Sequence, residues 1–156
     1  MSVLERLSRF VGGGASPEAT PPLHACYLDA VSRARLLSRH AEMAPQLYSQ
    51  EALRRLASAE EAQAERLRQT LLTAGAAAPS VSSEPPPSRS RNHWGRLVQD
   101  LEAHRVAFRR LRELAVQFYE SLPLTADLFD QLCREERHHC EQIRELIARA
   151  DPQALD

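Results

Sequence analysis

Apolar residues recur at steps of three and four along most of the chain, the spacing of helices that each bury one face. Leu23, Tyr27, Ala30, Ala34, Leu37, Ala41 and Ala44 form one such stripe and predict a first long helix from about Leu23 to Met43, ahead of Pro45. A second helix, opening after Ser49 as its N-cap, carries Leu53, Leu56, Ala57, Leu67 and Leu71 inward and stops at Gly75. The link between them is short, so they are expected to be antiparallel neighbours. From Ala76 to Ser90 the chain turns to Ala, Ser and Pro, with Pro85-Pro86-Pro87, and such a stretch cannot continue a helix. A third helix begins near Asn92 or Trp94 and repeats Leu97, Leu101, Phe108, Leu111, Ala115 and Phe118, with His104 in the gap of the stripe. After Leu122-Pro123-Leu124, Thr125 reads as the cap of a fourth helix reaching about Ala150. Its stripe of Phe129, Leu132, Cys133, Ile143, Leu146 and Ile147 is interrupted by Glu136 and His139. The pattern predicts an all-α fold, an antiparallel four-helix bundle with a long crossover between helices 2 and 3.

Outside the bundle, Val3, Leu4, Leu7, Phe10 and Val11 make a short amphipathic peptide, followed by the tether Gly12-Gly13-Gly14 and a Pro-containing stretch. Residues 1–21 are therefore read as peptide and linker, 22–151 as the bundle with a Pro/Ser-rich connection at 75–91, and 152–156 as a tail. The peptide either folds back on the bundle or docks on a partner.

The two halves also resemble each other. At a constant offset of 76, Leu53 pairs with Phe129, Leu56 with Leu132, Glu60 with Glu136, Gln63 with His139 and Leu67 with Ile143. This alignment superposes the polar interruptions of two stripes and suggests an internal duplication.

Charge removes several classes of partner. Twenty basic residues, all Arg, face 21 acidic ones for a formal net charge of −1, so no global field favours nucleic acid or an anionic membrane. No run of about 18 apolar residues could span a bilayer, and no secretory signal is evident, which gives a cytoplasmic expectation. The interspersed Arg residues read as solvated faces, and His24 and His40 as surface or loop residues. Cys26, Cys133 and Cys140 fall inside helical stripes and read as reduced, buried fillers.

The candidate chemistry sits in those interruptions. A carboxylate and an imidazole three residues apart on one helical face can reach the same ion. Periodicity selects Glu136 with His139 over Glu135 with His138, which turn toward solvent. Glu60 holds the matching place on the second helix, with Gln63 where an imidazole would stand, and His104 interrupts the third helix at a similar height. The same residues also suit a buried hydrogen-bonded pair that fixes helix register. Glu60, His104, Glu136 and His139 are the candidate metal ligands.

With its Glu-x-x-His at Glu136 and His139, its glutamate at Glu60 and its long crossover, the chain resembles the ferritin-like superfamily, rubrerythrin and bacterioferritin relatives above all. The resemblance implies a glutamate from the first helix and Glu-x-x-His from the second helix of each hairpin, together holding two iron or manganese ions that oxidise ferrous iron or handle peroxide. Here the first-helix glutamates are absent: the nearest carboxylates, Asp29 and Glu102, lie off the stripes, and Gln63 replaces a histidine. Two readings follow: a metal protein with a non-standard site, or a non-catalytic helical scaffold or dimerisation protein, in either case as a homo-oligomer, most simply a dimer.

Overall fold

The computed structural model describes residues 16–82, 84 and 86–153; the amphipathic peptide read at Val3–Val11 and the end of the C-terminal tail lie outside them. The described residues form four α-helices and no strand: α1 Thr20–Glu42, α2 Leu47–Thr73, α3 His93–Phe118 and α4 Pro123–Arg149. α1 packs along α2 and α3 along α4, and the two pairs meet through α1 with α3 and α2 with α4. No described helix is long and apolar enough to cross a membrane.

Local chemistry explains most of the helix ends. Pro21 and Pro123 stand in first turns, where a missing N–H leaves no intrahelical bond unmade. Asn92 caps α3 by accepting the Gly95 N–H at 2.8 Å. α2 closes as a Schellman motif: the Gly75 N–H reaches Leu72 O and the Ala76 N–H reaches Leu71 O, both at 2.9 Å. Gly75 takes the left-handed φ of +74° that this motif requires.

Two expected caps are corrected. α2 starts at Leu47 and α4 at Pro123, so Ser49 and Thr125 lie inside their helices and are buried. Each stands four residues before a core residue, Leu53 or Phe129, and thus on the inward stripe rather than at an end. Their correspondence extends the offset of 76, at which α2 and α4 also begin and end.

The buried stripe of α1 runs Ala19, Leu23, Cys26, Ala30, Arg33, Leu37, His40, Ala44; of the expected stripe Leu23, Ala30, Ala34, Leu37, Ala41 and Ala44 are buried as well, and Tyr27 is partly buried. On α3 it runs His93, Leu97, Asp100, His104, Ala107, Leu111, Leu114, Phe118. The steps alternate between four and three on both helices, and the two stripes match at a constant offset of 74. Arg33 and His40 are therefore core residues, against the expectation of solvated arginines and a surface histidine; Arg96, fully buried, is another.

Apolar residues gather in two clusters. One holds Leu23, Leu67, Leu71, Phe118 and Phe129; the other Leu37, Leu53, Leu97 and Ile143. Each of the four helices places buried polar residues between these clusters: Arg33, Glu60 with Gln63, His104, and Glu136 with His139. The three cysteines are buried and free, and burial pushes the Cys26 thiol up to about 11.

Candidate metal centre

Each helix contributes one turn of its stripe to the polar layer. Glu60, His104, Glu136 and His139 are all buried, and one ligand atom from each lies within 4.8 Å of all the others, so the group can hold a metal ion. The four candidate ligands come together because each interrupts an apolar stripe at the same height.

Hydrogen bonds order the layer. His104 Nδ1 stands 2.7 Å from Glu136 Oε2 and 3.5 Å from Glu60 Oε1. His139 Nδ1 stands 3.0 Å from Glu60 Oε1 and 3.7 Å from Glu136 Oε1. The imidazole rings meet edge to face, with centroids 5.5 Å apart. Both rings present Nδ1 to the carboxylates, while the buried His104 Nε2 has no hydrogen-bond partner.

Sequence reasoning missed the fifth member, Arg33. Its Nε donates to Glu60 Oε2 at 2.9 Å, and its terminal nitrogen lies 2.8 Å from Glu60 Oε2 and 3.4 Å from Glu136 Oε1. The signal for it was the four-three phase through Cys26 and Ala30, which places residue 33 on the seam.

Electrostatics follow from this arrangement. Burial pushes the Glu136 carboxyl up, but the Arg33 charge and the hydrogen bonds from His104 and His139 outweigh it and hold the group well below the usual carboxylate range. Burial pushes His139 down, yet its bonds to Glu136 and Glu60 prevail and raise it to about 9. Without an ion, the Arg33 guanidinium and one imidazolium balance the two carboxylates.

The remaining candidates lie elsewhere. Glu135 pairs with Arg66 at the surface, and His138 is exposed beside Gln142 and Glu141. Asp29 is exposed and ion-paired to Arg110 at 2.8 Å, and Glu102 is exposed. Gln63 is buried in the layer but outside the ligand group, and its amide nitrogen has no partner.

The offsets between the helix pairs make the layer two unequal halves. Glu60 and Glu136 correspond, as do Gln63 and His139; Ala30 corresponds to His104, and Ala107 to Arg33. One half therefore has two imidazoles and the other has an alanine and an amide. No protein-family model matches the sequence, and no curated protein matches it.

Proposed function

We propose that this chain is a ferritin-like metal protein whose site holds one divalent ion, iron or manganese, between Glu60, His104, Glu136 and His139, with Arg33 in the place of a second ion. The observation that carries the reading is the division of the carboxylate oxygens. Glu60 turns Oε1 to the imidazoles and Oε2 to Arg33; Glu136 turns Oε2 to His104, and its Oε1 lies 3.4 Å from Arg33 and 3.7 Å from His139. Carboxylates that bridge two cations divide in this way, and here one of the two positions is filled by a guanidinium.

Partner order supports the antiparallel bundle and crossover in this reading. On α1 and α3, Asp29 meets Arg110 whereas His40 meets Asp100; on α2 and α4, Tyr48 meets Arg149 whereas Arg66 meets Glu135. Numbers rise on one helix as they fall on the other. The end of α2 and the start of α3 then lie at opposite ends of the bundle.

Two imidazole nitrogens and two carboxylate oxygens form a donor set that suits iron, manganese or zinc. A bound iron or manganese ion supplies a redox centre for oxygen or peroxide. The protein's part is to fix the donors, neutralise the outer oxygens through Arg33, and limit access. A groove of about 410 Å³, lined by Tyr48, Arg55, His138, His139 and Gln142, reaches the site at His139. Elemental analysis of protein purified after growth in iron-supplemented medium tests the reading, with about one metal per chain expected.

A scaffold without metal is the second reading, and Arg33 is the observation that favours it. With one imidazole protonated, the layer is charge-balanced and largely hydrogen-bonded as it stands. Protein that remains metal-free after exposure to iron, manganese and zinc would establish this reading over the first.

A further inference from the structure

A second polar network lies toward the far end of α1 and shares no residue with the metal layer. His40 is fully buried, and both its ring nitrogens are engaged. Nδ1 stands 2.9 Å from each oxygen of the buried Asp100 on α3, and Nε2 stands 3.1 Å from Ser88 Oγ in the connection between α2 and α3. An ionised carboxylate can only accept, so the ring proton sits on Nδ1 and Nε2 offers its lone pair to the serine hydroxyl. The Ser88 hydroxyl also lies 3.3 Å from Ser90 O, a longer contact that competes for the same proton.

The serine is held on a fixed backbone. The Arg89 N–H donates to Gln99 Oε1 at 2.8 Å, and Gln99 Nε2 donates to Pro87 O at 3.2 Å. Arg96 reaches Arg91 O at 3.2 Å and Met43 O at 3.0 Å, tying the segment to α1 and α3. Ser90 lies so close to Gly95 that a side chain there would stand 2.0 Å from the Ser90 hydroxyl oxygen. Preset geometry of this kind removes the orientational cost of bringing nucleophile and base together. Ser88 itself is half-buried, and its chain neighbour Arg89, with Ser90, lines a groove of about 590 Å³ whose walls include apolar Leu36 and Val98 and charged Asp29 and Glu102. The mixed, partly apolar lining suits a small ester.

We propose that Ser88 is a nucleophile activated by His40 as general base, with Asp100 as the residue that positions His40, and that this group cleaves small carboxylic esters. Ser88 Oγ bonds to the acyl carbon while its proton passes to His40 Nε2. The ester C–O bond breaks and the alcohol leaves with that proton. Water then adds to the acyl carbon, giving a proton to His40; the acid leaves and the proton returns to Ser88 Oγ. The three residues belong to three elements, so nothing in their spacing announces the group.

Treating the full chain with a fluorophosphonate tests the proposal. Attack by Ser88 forms a P–O bond, breaks the P–F bond and releases HF, leaving an adduct that tandem mass spectrometry locates. Labelling at Ser88 should exceed that at Ser90 by on the order of 100-fold, the lower range of a general base's contribution. Ser88→Ala should abolish it. Asp100→Asn, which keeps the side chain's shape, should lower the rate and displace its pH profile, and His40→Gln should lower the rate to that of Ser90. Far-UV circular dichroism of each variant confirms folding. Labelling of Ser88 no faster than of Ser90 would overturn the proposal, as would wild-type rates in a folded Asp100→Asn protein.

Discussion

Glu60 and Glu136, 76 residues apart on α2 and α4, each give one oxygen to Arg33 and the other to an imidazole. The two carboxylates are thus equivalent while the cations they face are not. The source of the difference is one turn of α1, where Ala30 stands at the place of His104 and Arg33 at that of Ala107. A guanidinium supplies one positive charge and planar donors, but it cannot exchange with free metal.

The first prediction rebuilds the missing half. Ala30→Glu, Arg33→Ala and Gln63→His in one protein restore a carboxylate and an imidazole and remove the guanidinium. Metal content by elemental analysis should rise from about one to about two ions per chain. A triple variant that folds and still binds one ion or none would show that Arg33 does not stand in for a second.

Arg33 should matter most when no metal is present. Arg33→Met strands two buried carboxylates with too little positive charge, a change expected to cost about 3–5 kcal/mol. Added manganese should restore part of the loss, because the ion returns charge to the same oxygens. Urea unfolding of wild type and variant, each with chelator and with manganese, measures both effects; a change below about 1 kcal/mol in chelator would contradict the role assigned to Arg33.

Opposite pH dependences are expected for the metal-free and metal-bound protein. His139 is raised from 6.5 to about 9 in the fold, so its protonated form contributes stability that is complete below about pH 6.5 and lost as pH rises through about 9. The loss in chelator should be no more than about 3 kcal/mol. Metal ligation needs the neutral ring, so the stabilisation added by a fixed free manganese concentration should instead grow over that interval. Melting curves at pH 6, 7.5 and 9 check both signs, and a metal increment that shrinks with pH would argue against ligation by His139.

The four candidate ligands were legible because each breaks an apolar stripe, and residues three or four apart on such a stripe must share a face. Arg33 and His40 were not, because the buried face of α1 is wider than a single apolar stripe. The expected stripe took Tyr27, Ala34 and Ala41 at the steps where Cys26, Arg33 and His40 also turn inward, and Ala34 and Ala41 are buried beside them. An arginine at a buried position also contradicts the usual partition of that residue, so composition gave no reason to widen the face. Ser49 and Thr125 were misread because a small hydroxyl residue before an apolar run is the ordinary signature of an N-cap. Their burial is set by packing between helices, as is the meeting of His40, Ser88 and Asp100.

The last prediction separates the metal protein from the scaffold. His139→Ala and Glu136→Ala each remove a ligand in the first reading and one partner of a buried contact in the second. A contact alone loses about 1–3 kcal/mol through the stranded partner, whatever the metal concentration. A ligand adds a second loss: the wild-type protein is stabilised by an amount that grows with free metal over the dissociation constant, about 2.7 kcal/mol at a hundredfold excess, and the variants are not. The expected result is therefore a gap between wild type and either variant that widens from chelator to added iron or manganese, together with metal content falling to near zero. His138→Ala, a change at an exposed neighbour outside the ligand group, should leave the gap closed and the metal bound. Equal destabilisation of His139→Ala and Glu136→Ala in chelator and in metal would assign the layer to helix register alone, since no ion would then be exerting a force on the folded state.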